Sequence, residues 1–175
     1  MLETNPKSSS LKGMVEDILS SHHEPTRELI SRAKEILSRA GEAFPDNDFL
    51  KKLGMAFQSL VMTMNMHMEK EEEVLFPMFL RIEDGFDSLK HCGGIENPIR
   101  IMEQEHKELD LALERLRALT QDYHVSAAML QVIRGFYDVL EAFENDLRVH
   151  SEKEECELFP AAIAREKSIS ASKQG

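Results

Sequence analysis

Two stretches of the chain set a histidine four residues ahead of a glutamate inside the same eleven-residue phrase. His67-Met-Glu-Lys-Glu-Glu-Glu-Val-Leu-Phe-Pro77 returns 83 positions later as His150-Ser-Glu-Lys-Glu-Glu-Cys-Glu-Leu-Phe-Pro160, with eight of the eleven residues identical. On a helix, residues i and i+4 share a face, so His67 with Glu71 and His150 with Glu154 can each hold a metal between an imidazole and a carboxylate. The same step carries His23 onto His106, and each half then reads His followed 44 residues later by His-x-x-x-Glu. This register selects His23 over His22, whose counterpart is Glu105. The candidate metal ligands are His23, His67, Glu71, His106, His150 and Glu154. His22, Asp110 and Asp146 are outer hydrogen-bond partners or alternate ligands. Asp146 shares the His150 face, and Asp110 lies one turn past His106, with an ion pair to Arg27 as its quieter role.

Imidazole suits iron, copper, zinc and nickel, and carboxylate suits harder ions; the mixed set on bundle helices is the pattern of dinuclear iron and manganese sites. Two six-coordinate ions offer about twelve positions. Four imidazoles, two bridging carboxylates and a bridging oxygen leave about two open, which is what a centre reacting with a small molecule needs. Glu72 and Glu155 sit one step round from the ligand face, where a salt bridge is expected ahead of a hydrogen bond to an imidazole. Met62, Met64, Met66 and Met68 alternate by two, which spreads them round a helix as flexible core filler and makes no copper-binding face.

Four helices must bring these side chains to one level. Helix formers dominate and no strand-like alternation persists. The expected order is a short helix from about Leu11 to Ser21, a start or kink at Glu24-Pro25, and a long helix to about Glu42. A turn follows at Phe44 to Asn47. A second helix runs from Asp48 through the first motif to a kink or short segment at Pro77. A connector covers Asp84 to Asn97, with Asn97-Pro98 as cap and first turn of a third helix to about Leu119. After a loop near Gln121 to Ser126, the fourth helix carries the second motif. The fold class is all-α: an antiparallel up-down-up-down four-helix bundle with a short N-terminal helix. The segments are a disordered 1–10, a bundle over 11–167 built of repeats at about 11–83 and 97–167, and a disordered tail over 168–175. The first hairpin can be checked by level, because the midpoint of His23 and His67 falls at Pro45 in the turn. Leu75-Phe76-Pro77 and Leu158-Phe159-Pro160 are placed to close the bundle end over the metals.

With 21 basic and 32 acidic residues the chain carries a formal charge of −11. Such a chain repels phosphate backbones and anionic lipid, which argues against nucleic acid and membrane partners. No apolar run reaches membrane length, and residues 1–10 have no signal-peptide pattern, so a cytoplasmic location is expected. The two cysteines, Cys92 and Cys156, make no disulfide framework and read as free thiols. His91 and His124 fall in connectors and are expected to face solvent.

On His23, His67 through Pro77, His106 and His150 through Pro160, the chain resembles the hemerythrin-like proteins, which carry the HHE cation-binding domain, over nearly all of residues 11–165. The His22-His23 and Arg27 stretch, the Lys-Glu-Glu-x-x-Leu-Phe-Pro endings and Glu105-His106 look most like the bacterial iron-centre repair branch. The resemblance implies an antiparallel four-helix bundle around a non-haem di-iron centre, oxo- or hydroxo-bridged, with zinc or manganese as alternative occupants. Its ligands carry over onto the six residues named above. The leading expectation is a sensor, scavenger or stress-response protein that binds or reacts with dioxygen, nitric oxide or peroxide. The second is an iron donor to damaged iron–sulfur proteins. The third is a metal-stabilised or metal-free partner-binding module. Members of the repair branch often have a further histidine near the end of the first long helix, where this chain has Arg39 to Phe44. They also carry a small cysteine-containing domain ahead of the bundle, where residues 1–10 stand here. These two departures put repair second.

Overall fold

The computed structural model describes residues 10–124 and 127–172. The described chain is helical, with short turns between helices. Helix α1 (Leu11–Ile18) passes through a π-helical turn (Leu19–His23) into α2 (Glu24–Ala43). Helix α3 (Asp48–Lys70) passes through a second such turn (Glu71–Leu75) into α4 (Phe76–Glu83). After the short α5 (Ser88–Cys92) comes the unbroken α6 (Glu96–Thr120). Helix α7 (Ala127–Lys153) runs through a third π-helical turn (Glu154–Leu158) into α8 (Phe159–Ser172). The expected bundle forms, with α2 packed along α7 and α3 along α6. No helix among the described residues is long and apolar enough to cross a membrane.

The π-helical turns share one local cause. Glu24, Phe76 and Phe159 each donate their backbone N–H five residues back, to Leu19, Glu71 and Glu154. In each case the next residue is a proline: Pro25, Pro77 or Pro160. Proline has no N–H to give, and its ring clashes with the carbonyl four residues back in a regular α-helix. A wider turn relieves that clash without ending the helix. Pro25 therefore starts no helix, and α1 and α2 are one rod with a bulge.

Helix ends are capped as the composition suggests. Asn47 accepts from the Leu50 N–H at 3.0 Å at the head of α3. Ser10 accepts from Gly13 at 3.0 Å, while the first two donors of α1, Leu11 and Lys12, are taken by the Glu83 carboxylate at 2.9 Å each. Helix α6 begins earlier than expected, with Ile95 and not Asn97 at its cap. Buried Glu166 of α8 accepts from the Ser88 hydroxyl and, at 3.0 Å, from the Ile95 N–H, and so ties the connector down. Gly94 is required there: its φ is +90°, and a Cβ would lie 2.7 Å from Leu89. Ser170 bonds Asp87 at 3.0 Å and Ile169 is buried, so the chain does not leave the fold at residue 168. Residues 1–9 and 173–175 of the expected disordered ends lie outside the described residues.

Apolar burial falls into two clusters. The larger fills the body of the bundle between α2, α3, α6 and α7, with Leu53, Leu60, Leu109, Leu116, Phe136 and Leu140 fully enclosed. The smaller caps one end with α1, α4, α8 and the head of α6, around Ile18, Phe76, Phe79, Ile82, Ile95 and Phe159. Met64 and Met68 are core, but Met62 and Met66 face solvent, because a two-residue step on a helix spans opposite sides. His91 and His124 are exposed as expected.

Adjacent positions in α3 should respond oppositely to the same new residue. Leu53→Ala empties a fully buried site and should cost about 2–5 kcal/mol. Gly54→Ala adds a methyl group where nothing lies within 4 Å and should gain about 0.5–1 kcal/mol. Denaturant melts of both variants in one metal state check the pair.

Candidate metal centre

Between the two apolar clusters lies one polar layer. His23 comes from the first π-helical turn and His67 from the last turn of α3, while Glu71 opens the second π-helical turn. His106 comes from α6, His150 from the last turn of α7, and Glu154 opens the third π-helical turn. All six side chains are at most 3% exposed. The four Nε2 atoms and all four carboxylate oxygens find no hydrogen-bond partner among the described residues. Buried polar atoms without partners cost about 1–3 kcal/mol each, more when charged, so the layer is built for something that satisfies them together.

The atoms sort into two groups. His23, Glu71, His150 and Glu154 offer ligand atoms within 4.8 Å of one another, and so do His67, Glu71, His106 and Glu154. Each carboxylate serves both groups. Glu71 sets Oε2 at 3.2 Å from His23 and Oε1 at 3.3 Å from His67. Glu154 sets Oε1 at 3.2 Å from His150 and Oε2 at 3.1 Å from His106. Each carboxylate thus presents one oxygen to an imidazole of each group. The donor set, imidazole nitrogen with carboxylate oxygen, suits iron, manganese and zinc.

Charge in this layer is strained without a cation. Burial, and then the facing Glu154, push the Glu71 carboxyl well above its ordinary range. For Glu154 burial acts upward too, but the imidazoles of His150 and His106 outweigh it and hold the group low. His67 is pushed down to about 3 by burial and by His106. An imidazole that stays neutral keeps its lone pair for a metal.

Three of the four outer nitrogens are held by carboxylates. His23 Nδ1 meets Glu72 at 2.6 Å, His106 Nδ1 meets Glu155 at 2.8 Å, and His67 Nδ1 meets Glu105 at 3.3 Å. These bonds fix which nitrogen carries the proton and turn Nε2 inward. Glu72 also takes Arg27 at 2.7 Å, and Glu105 takes Lys70. Glu72 thus makes both the expected salt bridge and an imidazole bond, while for Glu155 the imidazole bond is the contact found. Glu105 was not singled out from the sequence for this role. Its signal was the register that pairs it with His22, since both positions flank a candidate ligand.

The remaining candidates divide. His22 is buried but outside both groups; its Nδ1 lies 2.7 Å from Asp146 Oδ1, and Asp146 also accepts from Thr26 at 2.9 Å. Asp146 thus steadies His22 and not His150. Asp110 is exposed and joins neither group, because α6 turns it to solvent. Arg27 pairs with Glu72 in place of Asp110, as the first π-helical turn brings it over the second one. Phe44, near the place of the family's further histidine, lies 41% exposed at the far turn. Phe76 stacks on His23 at 5.8 Å and Phe159 on His106 at 6.4 Å, closing the layer toward the end cap. Beside Phe76 a groove of about 360 Å³ opens between Val15, Leu19, Arg27, Glu72 and Leu80. Cys156 is exposed.

The raised Glu71 carboxyl gives a signed prediction. Its stabilising share is full below its ordinary value of 4.5 and is lost as pH rises. Metal-free Glu71→Gln should therefore melt above the metal-free native chain at pH 7, by ~2–4 °C for each kcal/mol regained. The advantage should vanish toward pH 4. With metal bound the order should reverse.

The hemerythrin HHE cation-binding domain model matches residues 14–162. The iron–sulfur cluster repair protein YtfE of Yersinia pseudotuberculosis is 28% identical over 172 residues, covering 94% of this chain and 74% of that protein. The protein of the same name from Cronobacter sakazakii is 29% identical over 167 residues, covering 95% and 72%. With its all-α bundle and its buried histidine–glutamate layer, this chain belongs to the hemerythrin HHE cation-binding family, and its centre is a di-iron one.

Proposed function

We propose that Glu71 and Glu154 would hold two irons together with four imidazoles, His23 and His150 beside one and His67 and His106 beside the other, and that the protein supplies iron in the repair of damaged iron–sulfur clusters. The observation that carries the ligand assignment is the sharing of each carboxylate between the two imidazole pairs. The repair role is supported by relatives named for it that align with 94–95% of the chain. On that support we put repair ahead of gas chemistry, the reverse of the order in which the two departures from the repair branch left them.

Iron at this site supplies redox and ligand-exchange chemistry. The chain's own part is to hold it and to control access. Glu72, Glu105 and Glu155 orient three imidazoles, while Phe76 and Phe159 keep water off the inner face. Arg27 and Glu72 form the polar wall of the groove beside His23 and give an acceptor protein a feature to engage. Damaged iron–sulfur proteins are the proposed partners, and the cytoplasm the proposed compartment.

A second reading keeps a diatomic gas or peroxide as the ligand, in a sensing, scavenging or stress-response role. It is favoured by the donor count, since four imidazoles and two bridging carboxylates leave positions for a small molecule. A purely structural site is disfavoured by eight inward atoms without partners.

Protein purified from unsupplemented cells should contain two irons per chain, one for each group. His67→Ala and His150→Ala should each cut this to one or fewer by elemental analysis. Incubated without oxygen with an iron–sulfur protein stripped of its cluster iron, the loaded chain should lose iron while the acceptor regains activity. Iron that stays on the chain, with a spectrum that changes on adding nitric oxide or dioxygen, would move the assignment to the second reading.

A further inference from the structure

We infer that the two metal positions are unequal, and that His22 makes the His23/His150 position the weaker one. The inference rests on the ligand assignment proposed above. Of the four inward-facing imidazoles, three carry a carboxylate on the outer nitrogen: His23 on Glu72, His67 on Glu105 and His106 on Glu155. The fourth does not. His150 Nδ1 is buried and has no hydrogen-bond partner among the described residues.

The internal repeat explains the gap. The 83-residue step carries His23 and Glu72 onto His106 and Glu155, and those two pairs match. It carries His150 back onto His67, but it carries Glu105 back onto His22. An imidazole stands where the other half has a carboxylate. His22 lies flat against His150, with ring centroids 5.6 Å apart and planes 11° from parallel. Its Nδ1 is taken by Asp146 and its Nε2 is buried with no hydrogen-bond partner among the described residues. A ring stacked face to face offers no acceptor in the plane of its neighbour. Once His150 gives Nε2 to a metal, its Nδ1–H has no anion to strengthen the donor. Removing such a partner from a ligating histidine typically costs ~10–100-fold in metal affinity. Both imidazoles at the His67/His106 position keep theirs.

Anaerobic titration of the metal-free chain with Fe(II), in competition with a chromogenic chelator, tests this. The native chain should show two stepwise constants separated by ~10–100-fold. His22→Glu should tighten the weaker step and narrow the gap by about tenfold or more. Glu105→Gln, at a partly exposed position that tolerates change better, should loosen the tighter step and narrow the gap from the other side. Circular dichroism establishes that each variant folds, and Glu105→Gln carries the test if His22→Glu does not. Two equal constants in the native chain, or a gap that a folded variant leaves unchanged, would overturn the inference. Failure to bind two irons at all would instead overturn the ligand assignment.

Discussion

Two carboxylates face each other in the dry middle of this bundle, and the rest of the structure answers to that fact. Glu71 and Glu154 are fully enclosed. Two like charges at this depth are among the costliest arrangements a protein can hold. A cation pair converts the cost into binding energy, because every inward atom then gains a partner at once. The apolar clusters on either side keep the layer dry and so strengthen each contact. The outer carboxylates lie at the edge of that dry region. Glu105, Glu72 and Glu155 have side chains 14%, 29% and 42% exposed. Lys70 and Arg27 lie against the first two. Charge is thus graded from an uncompensated centre to a compensated rim, which is what a site with affinity for cations requires.

Placing that layer is a backbone problem that three prolines solve. A helix that simply ended after His67 or His150 would leave the bundle open above the metals, and a straight one would carry the chain on without adjustment. A proline two residues after the end of each π-helical turn forces a bulge at the level of the site and lets the helix continue. Glu71 and Glu154 are the first residues of their bulges. Phe76 and Phe159 are the first residues beyond them, and both stack on ligand-side histidines. One local distortion therefore sets both the buried carboxylate and the aromatic lid.

The bundle and the six inward residues were legible in the sequence because they rest on periodicity and on a repeated register, which local spacing preserves. Phe44 to Asn47 was legible as a turn because Pro45 and an asparagine cap state it locally. What was not legible depends on contacts between helices. Glu105 reaches His67 from another helix, and nothing in its own neighbourhood announces that. Asp146 shares a helix face with His150, yet its carboxylate crosses to His22 on the adjacent rod. Pro25 was ambiguous for a different reason. The same residue type begins a helix or bulges one, and only the preceding turn, continuous with α1, decides between them. The alternating methionines spread round the helix as their spacing requires, so only Met64 and Met68 fill the core while Met62 and Met66 face outward.

The repeat fails in one strip, and the failure is structural as well as chemical. The π-helical turns at Glu71–Leu75 and Glu154–Leu158 are 83 residues apart and match. The one at Leu19–His23 has no counterpart, for α6 runs unbroken past Glu105 and His106. The residue that corresponds to Pro25 there is Glu108, which keeps its N–H and needs no bulge. More residues per turn means a smaller angle between neighbours, so the widened turn brings His22 and His23 inward together. Both are buried, whereas Glu105 stays partly exposed beside buried His106. Pro25 thus accounts for why residue 22 lies against His150 and not at the rim. The inferred inequality rests on two differences between the halves, the proline that turns residue 22 inward and the imidazole that stands there in place of a carboxylate.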